Sequence, residues 1–364
     1  MMRWPLQRRS SEDLLVLSWA DQTLAYVRAR ALGAGRFEVV RFGVERQGSD
    51  SLADFVRRLD GLGLRGCDAR AMLRQRQYQW LQIEAPGVAP EELRSAARYQ
   101  IRDMLDVHID DVTIDVMRVG DAQTKGTPHL FVIAAPNAVL RGVMELGELM
   151  RWQIPVIDVQ ETAQRNLQNA LAEAAGRTDR ANAALVLVDE AQAILTICAN
   201  EELYYTRRLE IPQGFLAGAW GTAAVAAESL VDAYAPVQEY VPDYDVGGVA
   251  HGNDYSLRSG LADGLGDAGA SGEGDAAQRF LVEVQRSLDL WDRAWSSMPL
   301  DRGRVFAGPR TEELAQWLAA ELGQPMVAMD VDAHFTGFSG GSDDDRTLCW
   351  PLLGLLLRSE SRRL

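Results

Sequence analysis

Two runs of three short strands, one opening each half of the chain, constrain the fold more than any other feature of this sequence. In the first half, Leu14–Ala20, Thr23–Ala31 and Arg36–Val44 are rich in Val, Leu, Phe and Tyr. The breaks between them, Ala20-Asp21-Gln22 and Gly33-Ala34-Gly35, carry hairpin-turn residues. In the second half, Ala184–Asp189, Ala193–Ala199 and Leu203–Leu209 repeat the rhythm, with Asn200-Glu201-Glu202 as the second turn. Each triplet runs into a helical pattern: Ser51–Leu62, with Asp50 expected at its N-cap and Gly63 past its end, and then Phe215–Tyr234. A chain of 364 residues has room for two such units. The expectation is an α/β molecule with duplicated halves around a cleft.

Between the triplets, Tyr78–Trp152 reads strand, helix, strand, strand, helix. Tyr78–Glu84 alternates as a strand. Pro90 opens an amphipathic helix expected to run to Leu105, with Glu91 and Glu92 in the first turn, where the dipole favours anions. Leu93, Ala97, Ile101, Met104 and Leu105 recur at helical spacing and are expected to face a core. Val112–Val119 and His129–Ala135 are strands, and Asn137–Trp152 is the next helix. After the second triplet the composition collapses. Val246–Ala276 is rich in Gly, Asp and Ser, and Glu239–Asp275 holds eight acids against the single Arg258. Such a stretch cannot bury enough apolar surface to offset its ordering cost, so a disordered acidic insertion is expected over 240–276. Helix Ala277–Ser296, strand Arg304–Ala307, helix Thr311–Leu322, strand Met326–Asp330, an acidic loop Ser339–Arg346 and a last helix from Thr347 complete the chain.

Charge excludes one large class. With 37 basic and 52 acidic residues the net charge is −15, and no basic tract exists to displace counterions from phosphates, so nucleic acid is not an expected partner. Lys125 is the only lysine, which rules out P-loop and lysine-nucleophile chemistry elsewhere. Cys67, Cys198 and Cys349 stand far apart and encode neither a disulfide framework nor a zinc site; no metal site is expected. The apolar run Leu352–Leu357 is far short of the roughly 20 residues a membrane span needs. Trp4 among Arg3, Arg8 and Arg9 reads as a solvated terminus. A cytoplasmic protein is the expectation. The two G-x-G-x-x-G matches, at Gly61 and Gly264, lack the preceding strand that a dinucleotide site requires. No G-x-S-x-G or H-E-x-x-H run occurs, so no catalytic centre is expected.

Three places remain where duplicated halves would meet a ligand: Leu17-Ser18-Trp19-Ala20-Asp21-Gln22-Thr23, Val188-Asp189-Glu190-Ala191-Gln192-Ala193, and Val305-Phe306-Ala307-Gly308-Pro309. Their order resembles the two phosphate hairpins and the late adenosine element of actin-like ATPases. Further motifs resemble the PilM family, with its MshI-like branch from mannose-sensitive-haemagglutinin-type pili the most similar. These are Glu91-Glu92-Leu93, Tyr99-Gln100-Ile101 and Asp110-Asp111-Val112-Thr113-Ile114-Asp115, then Pro155-Val156-Ile157-Asp158-Val159 and Val284-Gln285-Arg286-Ser287-Leu288. The likeness spans roughly Glu12–Pro236 and Ala277–Arg358, and the acidic insertion has no counterpart in it.

The resemblance implies an actin-like, two-lobed α/β fold with a small inserted subdomain. The expected bounds are 1–77 for the first lobe, 78–152 for the subdomain, 153–182 for a return to the first lobe, 183–340 for the second lobe and 341–364 for a C-terminal helix back on the first. It also implies a remnant nucleotide site at Ser18, Asp21, Thr23, Asp189, Gln192 and Gly308. Ser18 stands where the family carries Asp, Ala191 where it carries Gly, and Gly308-Pro309 replaces Gly-Gly. Loss of a metal-organising anion and of close backbone approach points to no required cofactor, at most weak ATP and Mg²⁺ binding, and no hydrolysis. The function implied is that of a cytoplasmic scaffold in a type IV pilus assembly platform. It would be held at the inner face of the bacterial inner membrane through the cytoplasmic N-terminus of a PilN- or MshJ-type protein, with assembly ATPase components as further partners. Arg94, Arg98 and Arg102 lie at i, i+4, i+8 with Tyr99 beside them. They form a basic stripe that either receives that partner or pairs with Glu91, Glu92 and Asp106. An active actin-like ATPase and a GspL-like component of type II secretion remain as alternatives.

Overall fold

The computed structural model describes residues 13–120, 128–189, 191–220 and 272–358. The chain opens with β1 (Asp13–Ala20), β2 (Thr23–Gly33), β3 (Arg36–Arg46), α1 (Leu52–Gly61) and β4 (Asp68–Leu73). A small unit follows: β5 (Gln79–Glu84), α2 (Leu93–Gln100), β6 (Val112–Arg118) and β7 (His129–Pro136). Then come α3 (Asn137–Met150), β8 (Gln153–Val159), α4 (Gln160–Ala174), β9 (Ala181–Leu187), β10 (Gln192–Ala199) and β11 (Glu202–Glu210). The remainder is α5 (Gly272–Ala294), β12 (Leu300–Phe306), α6 (Thr311–Leu322), β13 (Met326–Ala328), β14 (Phe335–Thr336), α7 (Asp343–Cys349) and α8 (Leu353–Leu356).

The two triplets do build equivalent sheets. One has the order β14-β3-β2-β1-β4-β8 and the other β11-β10-β9-β12-β13. In both, three antiparallel strands are followed by two that run parallel to the first. The hairpin turns carry the positive φ that two-residue connections need, at Asp21 and Gln22 in one half and at Asn200 and Glu201 in the other. A third sheet, β5-β7-β6, belongs to the inserted subdomain. Between the two large sheets lie α4 and α8. Ala163 and Leu167 of α4 and Leu353, Leu355 and Leu356 of α8 share one core with Val16 and Val27 from one sheet and Ala184 and Val186 from the other. The helices cross closely: a Cβ on Gly354 would stand 2.0 Å from the Ala163 carbonyl oxygen.

Several boundaries differ from expectation for local reasons. Ser51, not Asp50, caps α1, its hydroxyl accepting from the Asp54 amide at 3.2 Å, while Asp50 pairs with Arg58. The helix expected through Leu105 stops at Gln100; Ile101 is buried, and Arg102–Met104 forms a separate 3₁₀ turn that leaves Met104 exposed. This turn lets the Asp106 amide reach Gln79 Oε1 at 3.2 Å. The acidic stretch expected to be disordered through 276 already enters α5 at Gly272, and Ala276 is buried in the second-lobe core. Asp343, Asp344 and Asp345 are not loop but the first turn of α7, capped by Ser342 at a positive helix end. Phe215–Trp220 forms turns rather than helix, with Gly214 at positive φ and Phe215 and Trp220 anchored in the core.

β4, β8, α4 and β14 have no counterpart among the expected elements. The chain also rejoins the first sheet at Phe335, pairing with β3, ahead of the anticipated return at 341. Residues 221–234 of the expected second helix, 246–271 of the acidic insertion and the Trp4 terminus lie outside the described residues. Among the described residues no helix is long and apolar enough to cross a membrane.

Candidate functional site

In open α/β sheets, ligands meet the carboxyl ends of parallel strands. Here β1, β4 and β8 end together, with Leu17 opposite Ala71 and Leu73 opposite Val159. Their ends therefore present Ser18, Arg74, Gln75 and Gln160. From the second sheet, Asp189 stands two residues past the end of β9 and Gly308 two residues past the end of β12. Ser18 is buried, and its hydroxyl accepts from Arg74 Nε at 3.0 Å; Arg74 Nη2 donates to the Leu348 carbonyl at 2.7 Å. Burial pulls the Arg74 guanidinium below its ordinary value, and Cys349 and Asp189 oppose that shift.

The other predicted residues hold local structure. Asp189 Oδ1 accepts from the amides of Ala191 at 2.8 Å and Gln192 at 2.9 Å, closing the β9–β10 turn. Asp21 and Gln22 are the two turn residues beyond the Ala20–Thr23 pair, and the Thr23 hydroxyl donates to the Asp21 carbonyl at 3.3 Å. Gly308 has φ +55°, and a Cβ there would stand 2.5 Å from Thr347 Oγ1 of α7. The structure thus gathers Ser18, Asp189 and Gly308 toward the interlobe region. Asp21, Thr23 and Gln192 serve their hairpins. Among the described residues no cluster of three His, Cys, Asp or Glu could hold a metal ion.

A second constellation escaped the sequence reading. Glu161, at the start of α4, has no exposed surface. Its Oε1 accepts from Arg208 of β11 through Nε at 3.0 Å and Nη2 at 2.9 Å, and its Oε2 accepts from the Tyr78 hydroxyl. Arg208 Nη1 donates to the Gln75 carbonyl at 2.8 Å, and its guanidinium lies 4.6 Å from the Tyr78 ring centroid. Burial lowers the Arg208 pKa, but Glu161 and Tyr78 outweigh it and leave the group above its ordinary value. Tyr78 is pushed well above the usual tyrosine range by burial first and then by the Glu161 charge. These residues come from sequence positions up to 133 apart, so no local spacing could reveal them.

The arginines of the subdomain are engaged within it. Arg94 pairs with Asp115 at 2.7 Å, and Arg102 with Asp103 at 3.3 Å. Arg98 pairs with Asp110 at 3.2 Å and donates to the carbonyls of Ile109 and Val112. The expected i, i+8 stripe is broken because α2 ends before Arg102. The carboxylates that answer these arginines are Asp115, Asp110 and Asp103 rather than Glu91, Glu92 and Asp106. What stands out at this face is apolar: Tyr99 is 81% exposed, with Met104 and Val107 also exposed beside it in sequence.

No family profile and no curated protein matches this sequence. A chain of a PilM–PilN type IV pilus biogenesis complex is similar in structure, with a TM-score of 0.60 at 16% identity over 96% of this chain and 100% of that one. The cytoplasmic domain of EpsL, an inner membrane component of the type II secretion system of Vibrio cholerae, overlaps with a TM-score of 0.39 at 12% identity, over 56% of this chain and 74% of that one. A protein of unknown function with an actin-like ATPase fold from Bacteroides thetaiotaomicron overlaps with a TM-score of 0.46 at 8% identity, over 94% and 97%. The first comparison spans both chains nearly end to end. The chain has an actin-like fold, two α/β lobes with a small inserted subdomain.

Proposed function

We propose that this protein is a PilM-like scaffold of a type IV pilus assembly platform, of the MSHA kind that includes MshI. In this reading it binds the cytoplasmic N-terminus of a PilN- or MshJ-type inner-membrane protein beside the small subdomain. The observation that carries the reading is the whole-length likeness to a chain of the PilM–PilN complex, reached independently by the motif order from Glu91 to Asp115. The residues read as a remnant nucleotide site favour a binding role over a catalytic one. Arg74 occupies the Ser18 hydroxyl, Asp189 is spent on its own turn, and Thr347 closes on Gly308. None of these groups is arranged to organise a metal-bound phosphate.

The test is calorimetry on the full chain with a synthetic peptide of the PilN- or MshJ-type N-terminus encoded beside it. Binding in the micromolar range is expected, weakened about tenfold, or ~1.4 kcal/mol, by Tyr99→Ala combined with Arg102→Ala. Arg98 is left untouched because it holds the Ile109–Val112 backbone. Absence of binding to the intact protein would remove the pilus reading. A parallel phosphate-release assay with Mg²⁺ and ATP is expected to stay at background. Turnover abolished by Asp189→Ala would replace the scaffold reading with the ATPase one.

A further inference from the structure

The inserted subdomain uses its two faces for different purposes, and the alternation of β7 shows how. Leu130, Val132 and Ala134 point to one side, where they form a core with Leu93, Ala97 and Ile101 of the α2 segment. The opposite face reaches both lobes. Ile133 and Ala135 join the first-lobe core of Leu15, Leu17 and Phe55. Phe131, 1% exposed, joins Cys198 and Leu203 of the second lobe, with Val119, Met117, Trp80 and Trp295 around it. Trp80 belongs to both contacts.

A backbone bond reinforces the second contact: the Gly120 amide, just past β6, donates to the Leu203 carbonyl of β11 at 2.9 Å. Close by in the chain lies the buried Glu161–Arg208–Tyr78 constellation. It ties the root of the subdomain to the start of α4 and to β11.

We propose that the small subdomain is a clasp that holds the two lobes of this protein at one fixed opening. A two-lobed molecule opens by rotation about the elements that join its halves, here α4 and α8. The Phe131–Leu203 seat attaches the lobes a second time, away from those helices, while Arg208 of β11 grips Glu161 at the N-terminal end of α4, so that β11 cannot swing from the start of that helix without breaking the pair. Opening must then expose Phe131 and Leu203 and leave a fully buried carboxylate without its cation, which costs far more than a rim contact. This inference stands apart from the pilus reading, since it concerns motion rather than partner.

Native-state hydrogen exchange on the full chain tests it directly. The Gly120 amide is expected to exchange at least about 100-fold more slowly than an unstructured amide; exchange at the rate of an exposed turn overturns the clasp. A second measurement places spin labels at Arg57→Cys on α1 and Glu321→Cys on α6, the native cysteines being buried. One narrow distance distribution is expected, unchanged by Mg²⁺ and ATP, and widened by Leu203→Ala or by the paired change Arg208→Met with Glu161→Gln. A nucleotide-dependent shift in the unmodified background, or folded variants that keep the narrow distribution, overturns the proposal. Should a variant not fold, the exchange of Gly120 in the native chain decides alone.

Discussion

Cys349 shows how far a single side chain is committed by its surroundings. Its thiol is wholly buried and faces the carbonyls of Gly43 at 3.3 Å and Tyr26 at 3.5 Å. Burial pushes its pKa from an ordinary 9.0 up to about 12, and Cys67 and Cys198 are raised by the same cause. The folded state therefore holds these protons more tightly than the unfolded chain does. The associated stability is complete below pH 9 and is lost as pH rises from about 9 toward 12. Cys349→Ala should accordingly flatten the alkaline limb of a stability–pH curve. A thiol reagent at pH 8 should read none of the three cysteines in native protein and all of them in denaturant. Arg74 is committed in a different way, since it satisfies both the Ser18 hydroxyl and the Leu348 carbonyl. Arg74→Met leaves both without that donor and is expected to cost about 1–3 kcal/mol by denaturant titration.

Glycines at the level of the helices separate geometry from propensity. Gly142 lies inside α3, and a Cβ there would meet nothing within 4 Å. Gly142→Ala should raise stability by about 0.5–1 kcal/mol, because only the unfolded chain loses freedom. Gly354 of α8 stands against the α4 backbone, where the Ala163 carbonyl cannot give way as a flexible side chain could. Gly354→Ala should therefore destabilise by several kcal/mol (about 2–4) and separate the helices that join the lobes. The cap of α1 offers a third reading. Ser51→Ala is expected to lower stability by about 1 kcal/mol, whereas Asp50→Ala, which removes only a half-exposed ion pair, should cost less. Thermal unfolding of the four variants side by side gives the order. Each of these glycines looks alike in the sequence, because what distinguishes them is the neighbour that the fold supplies.

Across the whole molecule, the acidic segment has a boundary that composition alone misplaces. Excision of 246–276 would remove Ala276 from the second-lobe core together with the start of α5, so it should lower the melting temperature measurably. Excision of 246–270 spares every described residue and should leave it within a few degrees. The same division runs through the rest of the protein. Local patterning specifies the two β-triplets, their turn residues and the inserted strand-helix-strand-strand unit. Period-two patterning and positive-φ turns are written in neighbouring residues, and the repeat of a pattern is visible without knowing its partner. The order of the motifs singles out Ser18, Asp21, Thr23, Asp189, Gln192 and Gly308 as a remnant nucleotide site by resemblance, and of these Asp189 and Thr23 hold their own turns in the fold. Asp68–Leu73 becomes an inner strand through its long-range pairing, since its Ala and Arg residues carry little strand signal until β1 and β8 flank them. Tertiary structure likewise chooses the partners of Arg94 and Arg98 at the surface of the subdomain, because the carboxylates and carbonyls that receive them come from the loop and strand after α2. The Glu161–Arg208–Tyr78 constellation and the Phe131–Leu203 seat belong to the same class. Their members lie tens of residues apart, and a charge or an aromatic ring shows no preference for a partner until folding has removed the water between them.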